Sequence, residues 1–90
     1  MDNQHFIYIL ECKDGTFYTG YTTDVARRLS MHSRGKGAKY TRSRLPVSLV
    51  YTEEAASHSS GLRRELDIKS MTRMEKQTLV SNWTREHDGT

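Results

Sequence analysis

Residues 6–21 read FIYILECKDGTFYTGY. Two runs rich in β-branched and aromatic residues, 6–12 and 16–21, flank Lys13-Asp14-Gly15, which is the pattern of a β-hairpin. The length of the turn decides which side chains share a face. A two-residue Asp14-Gly15 loop would pair Lys13 with Thr16 and send Tyr8 and Tyr18 to opposite faces of the sheet. A three-residue loop, with Gly15 in the left-handed conformation, pairs Cys12 with Thr16 instead. Leu10 then lies opposite Tyr18, and Tyr8 opposite Gly20. Both tyrosines share one face as diagonal neighbours within reach of long side chains. The three-residue loop is the expected one.

Downstream of the hairpin the period changes. Residues 23–33, TDVARRLSMHS, predict an amphipathic helix. Thr22 or Thr23 is the expected N-cap, and Asp24 suits the positive N-terminal end. Val25 and Leu29, four apart, supply the core contact. Arg28 and His32, also four apart, stand one above the other on a neighbouring face. Gly35 is a plausible stop.

Residues 34–46, RGKGAKYTRSRLP, read as a basic, glycine-containing loop with one aromatic, Tyr40, ended by Pro46. Residues 47–52, VSLVYT, predict a third strand. A helix over 56–69 carries Leu62, Leu66 and Ile68, although Gly61 inside it costs about 1 kcal/mol relative to alanine. Thr72 and Glu75 have capping-box spacing and open a last helix, 72–83, with Met74, Leu79, Val80 and Trp83 as its apolar positions. The order β-β-α-β-α-α predicts an α+β fold, a small three-stranded and mostly antiparallel sheet flanked by helices. One domain over 1–90 is expected, with its core in about 5–83 and a polar C-terminal tail.

Composition narrows the class. Hydrophobic residues are 34% of the chain and charged residues 28%, but the apolar ones fall in periodic clusters, as in a folded domain. A chain this short buries only about 60–65% of its unfolded surface, so the core must be small. The one cysteine, Cys12, allows no intramolecular disulfide and reads as a small buried hydrophobe in a reducing compartment. One Cys and four scattered His give no zinc spacing. The longest apolar run, Phe6 to Leu10, has five residues, far short of the roughly 20 of a membrane span. The N-terminus has no basic region followed by an apolar one, so no signal peptide is expected and a cytoplasmic location is.

Net charge is +3, and its distribution says more than its size. From Val25 to Thr52 there is no Asp or Glu, and seven of the 14 Lys and Arg stand there: Arg27, Arg28, Arg34, Lys36, Lys39, Arg42 and Arg44. A polyanion such as nucleic acid is the natural partner of that window. A solvated basic loop with no ligand is the bland alternative.

The motifs together resemble a known family. Phe6-Ile7-Tyr8, followed ten residues later by Tyr18-Thr19-Gly20, is similar to the two halves of the GIY-YIG nuclease signature. Arg28 stands eight residues past Gly20, and Arg28 with His32 follows the family's Arg-x-x-x-His/Tyr pattern. Glu65, in LRRELDIK, sits where the family places its metal-binding glutamate. Residues 35–46 echo the GKGAKYT-x-x-R-x-P stretch of small stand-alone bacterial members. The resemblance covers residues 5–80. There are departures: Phe6 replaces the first signature glycine, Thr19 the middle of the second triplet, and Tyr21 a frequent basic residue. Gln77 stands where some members carry asparagine, and that role is not carried over.

The resemblance implies a divalent-metal-dependent endonuclease hydrolysing phosphodiester bonds by in-line attack of water, with DNA favoured over RNA. Arg28 would stabilise charge on the attacked phosphate through planar guanidinium donors. Glu65 would offer a hard oxygen to a single Mg²⁺ or Mn²⁺. Tyr8 is the favoured general base, with Tyr18 and His32 supporting it, although the roles could be exchanged. A free phenol has a pKa of about 10, so Arg28, the metal or His32 would have to favour its ionised form. Gly20 would let the backbone approach closely. Arg27, Arg34, Lys36, Lys39, Arg42, Arg44, Arg63 and Arg64 would hold the phosphate backbone. The alternative is a nucleic-acid-binding module of the same fold with weak or no catalysis. A third reading is an interaction domain whose basic face meets an acidic protein. A monomer is expected, with targeting left to broad specificity or to a protein partner.

Overall fold

The computed structural model describes residues 4–87. The hairpin has the three-residue turn. Strand β1 (His5–Glu11) pairs antiparallel with β2 (Phe17–Thr22), with Tyr8 opposite Gly20 and Leu10 opposite Tyr18. The Cys12 N–H donates to the Thr16 carbonyl at 2.8 Å, and Gly15 takes φ 83°, the left-handed conformation the turn requires. The Asp14 carboxylate accepts from the Thr16 N–H at 3.1 Å and braces the turn.

Strand β3 (Ser48–Ala55) pairs antiparallel with the other edge of β1, giving the order β2-β1-β3. The central position of β1 explains why Ile7, Tyr8, Ile9 and Leu10 are all buried: both faces of this strand are covered. Ile9 faces Tyr51 but Leu10 faces Leu49, so Val50 is the extra residue of a bulge. β3 runs three residues beyond the expected 47–52 and carries Glu53 on its extension.

Helix α1 (Val25–Ser33) follows the hairpin. Its N-cap is Asp24 rather than Thr22 or Thr23: the Asp24 carboxylate accepts from the Arg27 N–H at 3.0 Å. Thr22 serves one step earlier, its hydroxyl oxygen accepting from the Asp24 N–H at 3.1 Å. The segment expected as plain loop contains a single helical turn, α2 (Lys39–Arg42). Helix α3 (His58–Lys69) opens with a capping box between Ser57 and Ser60. Helix α4 (Arg73–His87) opens with the expected one, as Glu75 accepts from the Thr72 N–H (2.8 Å) and Thr72 from the Glu75 N–H (3.1 Å). It extends past Trp83, whose ring stacks on His87 at 4.2 Å. The last residues of the expected polar tail, 88–90, lie outside the described residues.

One sheet face is the apolar core. Ile7, Ile9 and Tyr51 pack there with Ile68 of α3 and Val80 of α4, and Phe17, Leu79 and Trp83 close its margin. Leu62, Leu66 and Met74, expected as apolar helix positions, are exposed. Leu66 and Ile68 are two residues apart, hence about 200° around the helix, and cannot both face one sheet. The opposite face receives α1 and the loop that follows it. Among the described residues no helix is long and apolar enough to cross a membrane.

Candidate active site

Tyr8, projecting from the second face of β1, is 2% exposed. Its hydroxyl lies 2.9 Å from His32 Nε2 and accepts from Arg28 Nε at a longer 3.4 Å. The four-residue spacing of Arg28 and His32 on α1 therefore brings both to one phenol. Gly20 lies directly across the ladder, and a Cβ built there would stand 2.8 Å from Tyr8 Cε1. The missing side chain is what gives the Tyr8 ring its place against Gly20.

His32 is fully buried, and its Nδ1 lies 2.8 Å from the hydroxyl of Thr41, itself fully buried on α2. A Cβ on Gly37 would stand 2.6 Å from His32 Cγ. Segment 35–41 is therefore the wall of the histidine pocket. Burial first, and the Arg28 charge second, hold the His32 pKa below its usual value of 6.5. The Tyr8 hydroxyl is pushed above 10.0, chiefly by burial; the Arg28 hydrogen bond opposes the shift without cancelling it, and Tyr18, then Glu65, add to it.

The two tyrosines differ in their contacts. Tyr18 shares the face of Tyr8, with ring centroids 6.4 Å apart, and packs on His32 at 5.3 Å. Its other side stacks on Tyr40 at 6.1 Å, and the Arg44 guanidinium caps Tyr40 at 3.8 Å. Tyr18 thus buttresses the site with its ring, whereas the Tyr8 oxygen is the atom that Arg28 and His32 address.

Glu65 of α3 is near enough for its charge to act on Tyr8. Its carboxylate, 16% exposed, pairs through Oε2 with Lys69 at 3.1 Å. Among the described residues no three His, Cys, Asp or Glu side chains gather into a cage. One carboxylate does not fit a caged zinc or copper ion. It does fit a hard ion that keeps most of its waters and is completed by substrate phosphate.

The basic residues divide. Arg27, Arg34, Lys36, Lys39, Arg42 and Arg63 are exposed and make no ion pair among the described residues. Arg44 is engaged by Asp14 at 3.0 Å and by the Tyr40 carbonyl at 2.9 Å. Arg64 is engaged by Glu53 at 2.8 Å, and the same carboxylate accepts from the Tyr51 hydroxyl. Both arginines tie elements together. The window 25–52 lacks acids in sequence, but Asp14 reaches it from the hairpin turn. Tyr21, at the departure from the basic pattern, faces away from Tyr8: its hydroxyl sits between Nδ1 of His5 (2.7 Å) and Nδ1 of His58 (3.0 Å). Gln77 is exposed on α4 and bonds Ser81 at 3.1 Å. Thr41 and Gly37 escaped the sequence reading as site residues, although both stand in the quoted GKGAKYT.

Comparisons with known proteins bear on the family and the fold. The family model described as the GIY-YIG catalytic domain matches residues 4–78. A UPF0213 protein of Natronomonas pharaonis is 51% identical over 84 residues, 93% of this chain and 99% of its own. One of Streptococcus agalactiae is 53% identical over 81 residues, 90% of this chain and 92% of its own. The solution NMR structure of the UPF0213 protein from Bacillus halodurans has a TM-score of 0.56 and 54% identity, covering 87% of this chain and 83% of that one. That of a protein from E. faecalis has a TM-score of 0.61 and 39% identity, covering 91% and 88%. The three-stranded antiparallel sheet with helices in the order β-β-α-β-α-α thus matches the fold of the two solved relatives. By the matched domain and by these relatives, the chain belongs to the GIY-YIG family, a nuclease superfamily.

Proposed function

We propose that the protein is a divalent-metal-dependent endonuclease that hydrolyses phosphodiester bonds in nucleic acid, DNA by preference. The observation that carries this reading is the Tyr8 hydroxyl held between Arg28 Nε and His32 Nε2. Tyr8 is the general base. Burial keeps its phenol protonated at rest, so it works by relay: its oxygen takes a proton from the attacking water while its own proton passes to His32 Nε2. His32 suits that role because burial keeps it neutral. Arg28 gives Nε to Tyr8, which leaves its terminal nitrogens for the phosphate oxygens as they gain charge. Glu65 holds one Mg²⁺ or Mn²⁺, which when bound supplies positive charge at the leaving oxygen. The exposed cations of segment 34–42, with Arg27 and Arg63, grip the backbone. A monomer in the cytoplasm is the form this reading assigns, in keeping with the buried free thiol of Cys12.

The test is a nuclease assay with Mg²⁺ or Mn²⁺ on single-stranded, duplex and branched DNA and on RNA. Wild type should cleave, Arg28→Ala should cleave about 10²–10³-fold more slowly, and Glu65→Gln should lose its response to metal. Equal cleavage by all three proteins would point to a contaminant. Salt-sensitive binding without cleavage would favour the binding module.

The relay also sets a pH dependence. His32 faces Tyr8 from β1, Tyr18 from β2, Arg28 on its own helix and Thr41 from α2. Its folded pKa lies below its usual value, so on acidification the unfolded chain takes up the proton first. The stability that neutral His32 gives is complete above about pH 6.5 and drains as pH falls through the folded value. Cleavage needs the same neutral ring. The acid limb of kcat against pH should therefore have its midpoint below 6.5, and a midpoint above it would contradict the relay.

A further inference from the structure

The relay works only if the proton of neutral His32 is on the correct nitrogen. With hydrogen on Nδ1, Nε2 has a lone pair for the Tyr8 proton. With hydrogen on Nε2, the ring donates to the Tyr8 oxygen and can accept nothing from it.

Two counts of hydrogens bear on the tautomer: the one at Thr41 permits Nδ1–H, and the one at Tyr8 requires it. The first is at Thr41. Its hydroxyl has one proton and lies within reach of the Ala38 carbonyl at 3.0 Å and His32 Nδ1 at 2.8 Å. The carbonyl has no hydrogen to give. A Thr41 proton directed to Ala38, whose carbonyl also accepts from the Thr41 and Arg42 N–H groups, leaves the hydroxyl oxygen as an acceptor for Nδ1–H. The second count is at Tyr8. Its buried oxygen already accepts from Arg28 Nε, and its hydrogen needs an acceptor, which among the described residues is His32 Nε2. An Nε2–H ring would leave that buried hydroxyl proton without a partner.

We propose that Thr41 is a positioning residue whose hydroxyl fixes the Nδ1–H tautomer of His32 and so keeps Nε2 open to the Tyr8 proton. It touches neither Tyr8 nor phosphate and acts through the histidine, as an outer partner orients a ligand or base. Gly37 completes the device, since its missing Cβ leaves space for the ring that Thr41 holds. The turn α2, within a glycine-containing loop, carries this hydroxyl to the ring. Segment 34–42 thus carries both the cations that would grip the backbone and the group that sets the proton path.

The catalytic half of this inference rests on the nuclease reading; the tautomer does not, and is read without nucleic acid. Proton–nitrogen correlation NMR of the His32 ring, at a pH where it is neutral, should show hydrogen on Nδ1 in wild type and in Thr41→Ser. Thr41→Val keeps the shape and removes the acceptor, and should shift the ring toward Nε2–H. In cleavage assays Thr41→Val should lose about 10–100-fold in kcat, with unchanged affinity for DNA, and Thr41→Ser should restore it. An Nε2–H ring in wild type overturns the proposal even if Thr41→Val fails to fold. So does a Thr41→Val ring that stays Nδ1–H, or a Thr41→Val enzyme that cleaves as wild type does. A wild type that holds the Nδ1–H ring but cleaves nothing would refute the nuclease reading and leave the tautomer assignment standing.

Discussion

Tyr8→Phe is expected to slow cleavage by about 10²–10⁴-fold while nucleic-acid binding stays at the wild-type level, because the hydroxyl is the only atom the substitution removes. The phenylalanine ring still fits over Gly20, so the sheet and α1 keep their packing. The loss falls on the proton relay: Arg28 Nε and His32 Nε2 both lose the oxygen they address. Stability should drop by about 1–3 kcal/mol, since a buried histidine nitrogen is left without a partner. Single-turnover cleavage at saturating protein, with binding measured in parallel, separates the two effects. Tyr18→Phe is the comparison. Tyr18 packs through its ring on His32 and Tyr40, and that packing survives loss of a hydroxyl. A Tyr18→Phe defect as deep as that of Tyr8→Phe would exchange the roles of the two tyrosines, and full activity in Tyr8→Phe would refute the base.

The hairpin made much of this site legible in the sequence. Turn length and Gly15 set the register, and the register put Tyr8, Tyr18 and Gly20 on one face. The i,i+4 spacing of Arg28 and His32 needed only helical geometry to bring them together. What escaped has a common cause: it depends on contacts between segments distant in sequence. The local lack of acids around Arg44 gave no warning of Asp14, thirty residues away, and Arg64 meets Glu53 only because β3 runs longer than its apolar pattern. Leu62 and Leu66 looked like core because a helix's apolar residues usually are. A three-stranded sheet is too narrow to cover more than the stripe that holds Ile68. Thr41 looked like one polar residue in a basic loop, because nothing local shows that its hydroxyl is buried against a histidine nine residues earlier.

Gly20→Ala is expected to lose as much cleavage as Tyr8→Phe, by a different physical route. No functional group is removed. A methyl is added where the Tyr8 ring already lies, 2.8 Å from Cε1, closer than carbon atoms approach without displacement. The neighbour that must give is a buried ring held by Arg28 and His32, so the tyrosine turns away and its oxygen leaves the relay. A misplacement of about 1 Å costs on the order of 10²-fold in rate, and loss of the hydrogen bond costs more. Overpacking should also lower stability by about 1–3 kcal/mol. A double-mutant cycle isolates the cause. In a Tyr8→Ala background the ring is gone, so Gly20→Ala should cost little stability, with a coupling of about 0.5–3 kcal/mol between the two positions. Urea denaturation of the four proteins measures it. If the cost of Gly20→Ala is the same in both backgrounds, the glycine serves the strand backbone rather than the tyrosine, and the close approach would not explain why position 20 carries no side chain.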